Sequence, residues 1–261
     1  MSIYHKVIGE GYPIVMLHGW TLDHQVMFHV LEPIFKERDG WKRIYIDLPG
    51  MGQSESQPSI QNSDDILEAV LHLLDEIIPD QPFILCGYSY GGYIARGIVH
   101  LRKKQVRGLL LMAPMTIPEF EKRDVPQQTI IKRDHNLISS LSPEDADAFC
   151  SMGVVQGQTE WERFQNEILI PSKQTNYEFL NAIRQNGYGF SFDISSKFEY
   201  PTLIITGRQD NVVGYHDAWS LIEHYPRATF AVLDMAGHNL QIEQPNIFNN
   251  LVHNWLERIE M

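Results

Sequence analysis

The sequence predicts an α/β fold: a mostly parallel central sheet flanked by helices, interrupted once by an inserted helical segment. Three observations carry this. Short apolar runs bounded by Gly, Pro or charged residues alternate with amphipathic stretches through the first third of the chain, the rhythm stops after Met112, and it resumes at Thr202. The length of 261 residues suits one large α/β domain with a single core, and 43% hydrophobic with 21% charged residues is the composition of a water-soluble globular protein.

Taken in order, residues 12–17, 42–46, 83–86 and 106–112 read as strands, with helices filling the intervals. Residues 63–78 support this, because Ile66, Val70, Leu73, Leu74 and Ile77 fall on one helical face behind the start signal Ser63-Asp64-Asp65. Residues 90–101 read as the next helix, and 53–61 as a polar loop. From 115 to 198 no clear strand is predicted, only helix-compatible stretches such as 144–150 and 159–170. A strand at 202–206, a helix at 216–224, a strand at 229–233 and a last helix at 243–259 close the sheet. The expected organisation is therefore a core of residues 1–114 and 199–261, with 115–198 inserted into it.

The formal net charge of −12 argues against nucleic acid and anionic membranes as partners. Two cysteines, Cys86 and Cys150, are too few for a disulfide framework and are expected reduced. No apolar stretch approaches the roughly 20 residues of a membrane span, and residues 1–6 lack the apolar region of a signal peptide, so a cytoplasmic protein is expected.

The chemistry is concentrated in Phe83-Ile84-Leu85-Cys86-Gly87-Tyr88-Ser89-Tyr90-Gly91-Gly92, an apolar strand running into Gly-x-Ser-x-Gly and then a helix. A sharp turn there holds Ser89 in a strained conformation, with glycines at 87 and 91 where side chains would collide. The serine hydroxyl is thereby presented as a nucleophile, and the backbone N–H of Tyr90 at the helix start faces a developing oxyanion. A serine needs a histidine base and a carboxylate to orient it. Of the 11 histidines, His238 alone lies on the loop directly after the last strand, whereas His72, His100, His224 and His253 fall in helical patterns. Asp210, just past the strand at 202–206, is the expected acid; Asp234 competes but precedes His238 by only four residues and more naturally shapes its loop. The chain order is then Ser, Asp, His.

Two further segments, His18-Gly19-Trp20 and the run from Asp47 to Ser54, each follow a predicted strand. With them the chain resembles the α/β-hydrolase superfamily across nearly its whole length. The resemblance implies that the Trp20 N–H is a second oxyanion donor beside Tyr90, that His18 and the 47–54 run are structural, and that residues 115–198 form a helical cap over the site. Serine rather than aspartate at position 89 implies acyl transfer, with carboxylesterase the broadest activity. Hydrolases that cleave carbon–carbon bonds in ring-fission dienones are a partial match, since they carry Gly-Pro-Gly after the His-Gly pair and Met after the serine. A ligand receptor on the same scaffold is the reading from another class.

No His-x-x-x-His or clustered Cys/His spacing suggests a metal, and neither metal nor cofactor is expected. The partner is a small-molecule substrate. Tyr88 and Met115 are expected in its pocket, with Trp20, Tyr88 and Tyr90 as bulky walls and the charged run Glu119, Glu121, Lys122, Arg123 and Asp124 at the cap entry. Such a roofed site is expected to prefer short or medium acyl esters, or another small uncharged carbonyl compound, over long-chain lipids.

Overall fold

The chain opens with β1 (His5–Ile8), β2 (Tyr12–Leu17), α1 (Gln25–Phe35), β3 (Trp41–Ile46), α2 (Ser63–Ile77), β4 (Phe83–Tyr88), α3 (Tyr90–Leu101) and β5 (Val106–Met112). This is a computed structural model, and it describes residues 3–260; Met1 and Ser2, part of the opening stretch read for a leader, and Met261 lie outside the described residues. A long excursion after β5 carries β6 (Lys132–Arg133), α4 (His135–Ser140), α5 (Pro143–Met152), β7 (Val155–Gln156), α6 (Gln158–Phe164), α7 (Ile170–Gln174) and α8 (Tyr177–Gly187). The chain then returns through β8 (Thr202–Gly207), α9 (His216–Trp219), β9 (Ala228–Leu233), α10 (Leu240–Glu243) and α11 (Pro245–Glu260).

Seven strands form one sheet in the order β1-β3-β2-β4-β5-β8-β9, parallel throughout except for β1, which runs antiparallel along β3. The central strands are covered on both faces, which is why they read as unbroken apolar runs: Ile14, Val15, Leu17, Ile84, Leu85, Leu109 and Leu110 are fully buried. Each such side chain contributes roughly 1.5–3 kcal/mol of burial. β1 escaped the sequence reading because it has only four residues at the sheet margin, with Val7 exposed. After β2 the chain winds first to β3 on one side and then to β4 on the other, so the order reverses at β2. The crevice beyond the carboxyl ends of β2 and β4 is where such sheets bind ligands.

Local rules set the flanking elements. α2 is capped by Asn62, one residue before the expected signal, with its side chain accepting from the Asp65 N–H at 2.9 Å and Asp64 and Asp65 in the first turn. α5 starts at Ser142-Pro143, the Ser142 hydroxyl accepting from the Asp145 N–H. α6 and α7 form one helical stretch joined through a π segment, Gln165–Leu169. The expectation of a strand-free excursion needs correcting: β6 and β7 pair parallel over two residues each, Lys132 with Val155 and Arg133 with Gln156. Two-residue strands carry no readable alternation. Among the described residues no helix is long and apolar enough to cross a membrane, and both Cys86 and Cys150 are free thiols.

Candidate active site

The strand-to-helix turn after β4 places Ser89 at φ 53° and ψ −114°, a conformation costly for any residue with a side chain. The turn is so tight that a Cβ on Gly87 would come within 2.5 Å of the Gly91 carbonyl oxygen, and one on Gly91 within 2.4 Å of the carbonyl oxygens of Leu17 and His18. Both contacts are with backbone, so only glycine fits at either position. Ser89 Oγ lies 2.9 Å from His238 Nε2, and His238 Nδ1 lies 2.9 Å from Asp210 Oδ2. The three expected residues, from three separate loops, thus form one hydrogen-bonded chain.

Asp210 is fully buried, and its other oxygen accepts from the N–H groups of Val212 at 2.8 Å and Val213 at 3.0 Å. Burial opposes its charge, but the facing His238 and these two N–H groups outweigh it and hold the carboxyl below the ordinary aspartate range. Asp234 is exposed and accepts from Gln209 Nε2 at 2.9 Å, so it braces the turn that carries Asp210 rather than meeting His238.

Beside the serine, among the described residues, neither the Trp20 nor the Tyr90 N–H donates to a protein acceptor. The Tyr90 N–H is one of the orphan donors at the start of α3. Trp20 is held by its neighbours: buried His18 donates from Nδ1 to the Gly19 carbonyl at 2.7 Å, and its Nε2 accepts from the Leu48 N–H at 2.9 Å. Burial holds His18 below the ordinary histidine value, which keeps it in this neutral bridging form. The Leu48 side is fixed in turn by Asp47, whose carboxylate accepts from the His24 N–H at 2.6 Å, from His24 Nδ1 at 2.9 Å and from the Gln53 N–H at 2.9 Å. The 47–54 run therefore braces the loop after β2.

A cavity of about 340 Å³ opens over Ser89 and His238, bordered by Trp20 and Tyr88 from the sheet side and by Met115, Met152, Phe164 and Ile168 from the excursion. Tyr88 and Met115, the residues expected in the pocket, are both among those bordering this cavity. Tyr88 donates from its hydroxyl to Asn239 Oδ1 at 3.0 Å, and its ring lies 5.3 Å from the His238 ring. Tyr90 is a correction: it does not border the cavity. Its buried ring stacks on Tyr188 at 5.1 Å, packs edge-on to Trp20 at 4.7 Å, and sends its hydroxyl to Ser63 Oγ at 2.7 Å. A phenol needs a polar partner once buried, and Ser63 supplies it on the far side from the pocket. Of the run expected at the cap entry, Arg123 borders the cavity, while Glu119 pairs with Lys122 and Asp124 with His216 on the outside.

Sequence reasoning missed Glu243, assigned only to a helix start. It is 7% exposed, and one oxygen accepts from the Gly237 N–H at 2.6 Å while the other accepts from the N–H groups of Val154 at 2.6 Å and Val155 at 3.2 Å. One side chain thereby clamps the His238 loop to the excursion. Burial pushes its carboxyl up to about 7, against those N–H groups and with the Asp210 charge adding to the rise. A carboxyl whose folded value lies above its unfolded value of 4.5 stabilises the fold fully below pH 4.5 and loses that contribution as pH rises through about 7. The stability advantage of wild type over Glu243→Gln should therefore shrink by on the order of 2 kcal/mol between pH 5 and pH 8. Thermal unfolding of both proteins across that range measures it; an advantage that stays constant or grows would contradict the assignment.

The alpha/beta hydrolase fold family model matches residues 12–245. A structure described as an alpha/beta superfamily hydrolase from Oenococcus oeni superposes with a TM-score of 0.91 at 32% identity, covering 100% of both chains. The AB hydrolase superfamily protein YisY of Bacillus subtilis is 25% identical over 97% of this chain and 94% of its own. The pimeloyl-[acyl-carrier protein] methyl ester esterase of Shewanella woodyi is 24% identical over 98% of each. With the sheet order, the glycine-flanked serine turn and this match over most of its length, the chain belongs to the α/β-hydrolase family of enzymes.

Proposed function

We propose that the protein is a serine carboxylesterase for small esters, with residues 115–198 acting as a helical cap. The observation that carries this is the unbroken chain Ser89 Oγ, His238, Asp210 at 2.9 Å and 2.9 Å, opening onto a cavity beside two spare backbone N–H groups. Relatives named as methyl ester esterases over nearly the full chain support the same reading.

In this mechanism Ser89 Oγ attacks the ester carbonyl carbon as His238 Nε2 takes its proton, and Asp210 stabilises the resulting imidazolium. The carbonyl oxygen becomes an oxyanion and accepts from the N–H groups of Trp20 and Tyr90, two donors fixed in place before substrate arrives. On collapse the alkoxide departs with the proton from His238, leaving an acyl–Ser89 ester. Water enters, gives a proton to His238 and adds to the acyl carbon; the second collapse releases the acid and returns the proton to Ser89. The Gly87 and Gly91 contacts explain why the reactive oxygen stands clear of its own backbone.

The cavity sets the acyl length. At ~30 Å³ per water, 340 Å³ holds about eleven waters, which suits a short or medium chain better than sixteen carbons. A p-nitrophenyl ester series from acetate to palmitate should show kcat/KM rising to a maximum at a short or medium acyl length and falling by at least about tenfold at palmitate. A maximum at palmitate would refute the enclosed pocket. Turnover of a ring-fission dienone with no ester hydrolysis would replace the esterase by the carbon–carbon hydrolase, and a single turnover per molecule would point to the receptor.

A further inference from the structure

The cavity above Ser89 is bordered by no aspartate and no glutamate, yet by two arginines, Arg123 and Arg184. Both also border a second cavity, of about 700 Å³, that shares Tyr188 and Val212 with the first. The two guanidinium groups therefore stand at the passage between outer cavity and nucleophile. In a chain of net charge −12, an inner cavity bordered by two arginines and no acid runs against the sign of the whole protein.

Four of the twelve arginines, Arg38, Arg43, Arg102 and Arg163, pair with carboxylates at 2.7 to 2.9 Å. Among the described residues, neither Arg123 nor Arg184 has one within 4.0 Å. Arg123 is half-buried and held by three carbonyls, Nε on Ile117 at 2.7 Å, Nη1 on Val212 at 2.9 Å and Nη2 on Pro118 at 2.8 Å. Carbonyls fix its orientation without neutralising it, and a guanidinium has five N–H donors, so two remain. Burial, and after it the neighbouring Arg184 charge, press Arg123 below the ordinary arginine value against the opposing pull of Tyr188, Asp210 and Asp217. Arg184 is exposed and rests over two rings, 5.2 Å from the Tyr188 centroid and 5.8 Å from that of Trp20. The acids that border the outer cavity are Glu119, already paired with Lys122 at 2.9 Å, and Glu121. Two guanidinium groups that border the same cavity, neither with a carboxylate within 4.0 Å, form a site that an oxyanion completes.

We propose that Arg123 and Arg184 form an anion-recognising subsite at the mouth of the Ser89 cavity, so that the ester hydrolysed there carries an oxyanion, a carboxylate or a phosphate, beyond its scissile carbonyl. This rests on Ser89 as nucleophile and departs from the uncharged substrate expected from the sequence, where Arg123 was one charge in a mixed run. The field of a protein at −12 would by itself disfavour anionic substrates, so the two arginines act against it.

The test compares p-nitrophenyl hexanoate with the p-nitrophenyl half-ester of adipate, the same acyl length with and without a terminal carboxylate, and with a matched ester ending in phosphate. Rates are corrected for reaction with hydroxide. In wild type kcat/KM for one of the anionic esters should exceed that for hexanoate by roughly 10- to 100-fold, and the larger ratio identifies the source of the anion. Arg184→Gln should bring that ratio close to one, and Arg123→Lys, which keeps the charge but loses the fork, should lower it severalfold. Arg102→Gln, which removes an exposed arginine paired with Asp75, should leave the ratio as in wild type. Equal or lower kcat/KM for both anionic esters, or a ratio indifferent to Arg184→Gln, overturns the proposal. If no ester is turned over, the nucleophile assignment fails separately, and calorimetry decides the subsite. Adipic acid monoamide and the matched monophosphate should bind wild type more tightly than hexanamide, and Arg184→Gln should lose the difference; equal binding overturns it.

Discussion

Ser89→Ala is expected to lower kcat for a p-nitrophenyl ester by roughly 10⁶-fold while leaving the fold in place, the largest effect available from one atom in this protein. Alanine keeps the Cβ already accommodated at φ 53°, so the tight turn is not asked to change shape. The loss to stability is the bond to His238 Nε2, about 1 kcal/mol, and the unfolding transition should move little. A fluorophosphonate probe should label wild type at Ser89 and leave the variant unlabelled, with intact mass and peptide mapping as the readout. Labelling of another residue, or hydrolysis surviving in the variant, would remove Ser89 from the mechanism.

Asp210→Asn is expected to cost about 10⁴-fold in kcat, with KM changed far less. An asparagine can still accept from the Val212 and Val213 N–H groups, so the turn should hold. Its amide N–H₂ group then faces His238 Nδ1 and favours the imidazole tautomer that carries its proton on Nε2, where it donates toward Ser89 instead of accepting. The same substitution at Asp234 should change kcat by less than about threefold, because that exposed carboxylate touches Gln209 and not the histidine. Measuring both variants against one ester decides between the acids; the larger loss at Asp234 would reverse the assignment.

Much of this was legible in the sequence because the same physics wrote it there. Strands buried on both faces must be apolar throughout, so β2, β4, β5 and β8 stand out, and a turn that excludes Cβ atoms must leave glycines, so Gly87 and Gly91 mark the serine. What stayed hidden depended on distant partners. Glu243 looks like any charge at the start of a helix until the fold brings Gly237, Val154 and Val155 around it. Arg123 and Arg184 lie far apart in the chain, and only the fold brings both to the border of one cavity. Tyr90 was assigned to the wall from its place beside the nucleophile, yet adjacency along the chain does not fix where a side chain points, and its hydroxyl turns to Ser63. The two-residue β6 and β7 are too short for any period to register.

The pairing of β2 with β4, Leu17 directly opposite Gly87, has an evolutionary consequence. Ser89 lies two residues past one member of that pair and Trp20 three residues past the other, so the proposed nucleophile and its proposed anion donors are spaced by the rungs of a ladder, as on a ruler. The hydrogen bonds of residues 115–198, among them the Glu243 clamp and the Arg163 bond to the Gln241 carbonyl at 2.8 Å, end beside that ruler and, among the described residues, on neither β2 nor β4 itself. If residues 115–198 are the cap and Ser89 the nucleophile, as proposed, mutation can reshape the roof, and with it the choice of substrate, without recalibrating the reaction beneath, and a lineage that keeps the ruler inherits the chemistry whichever ester it comes to meet.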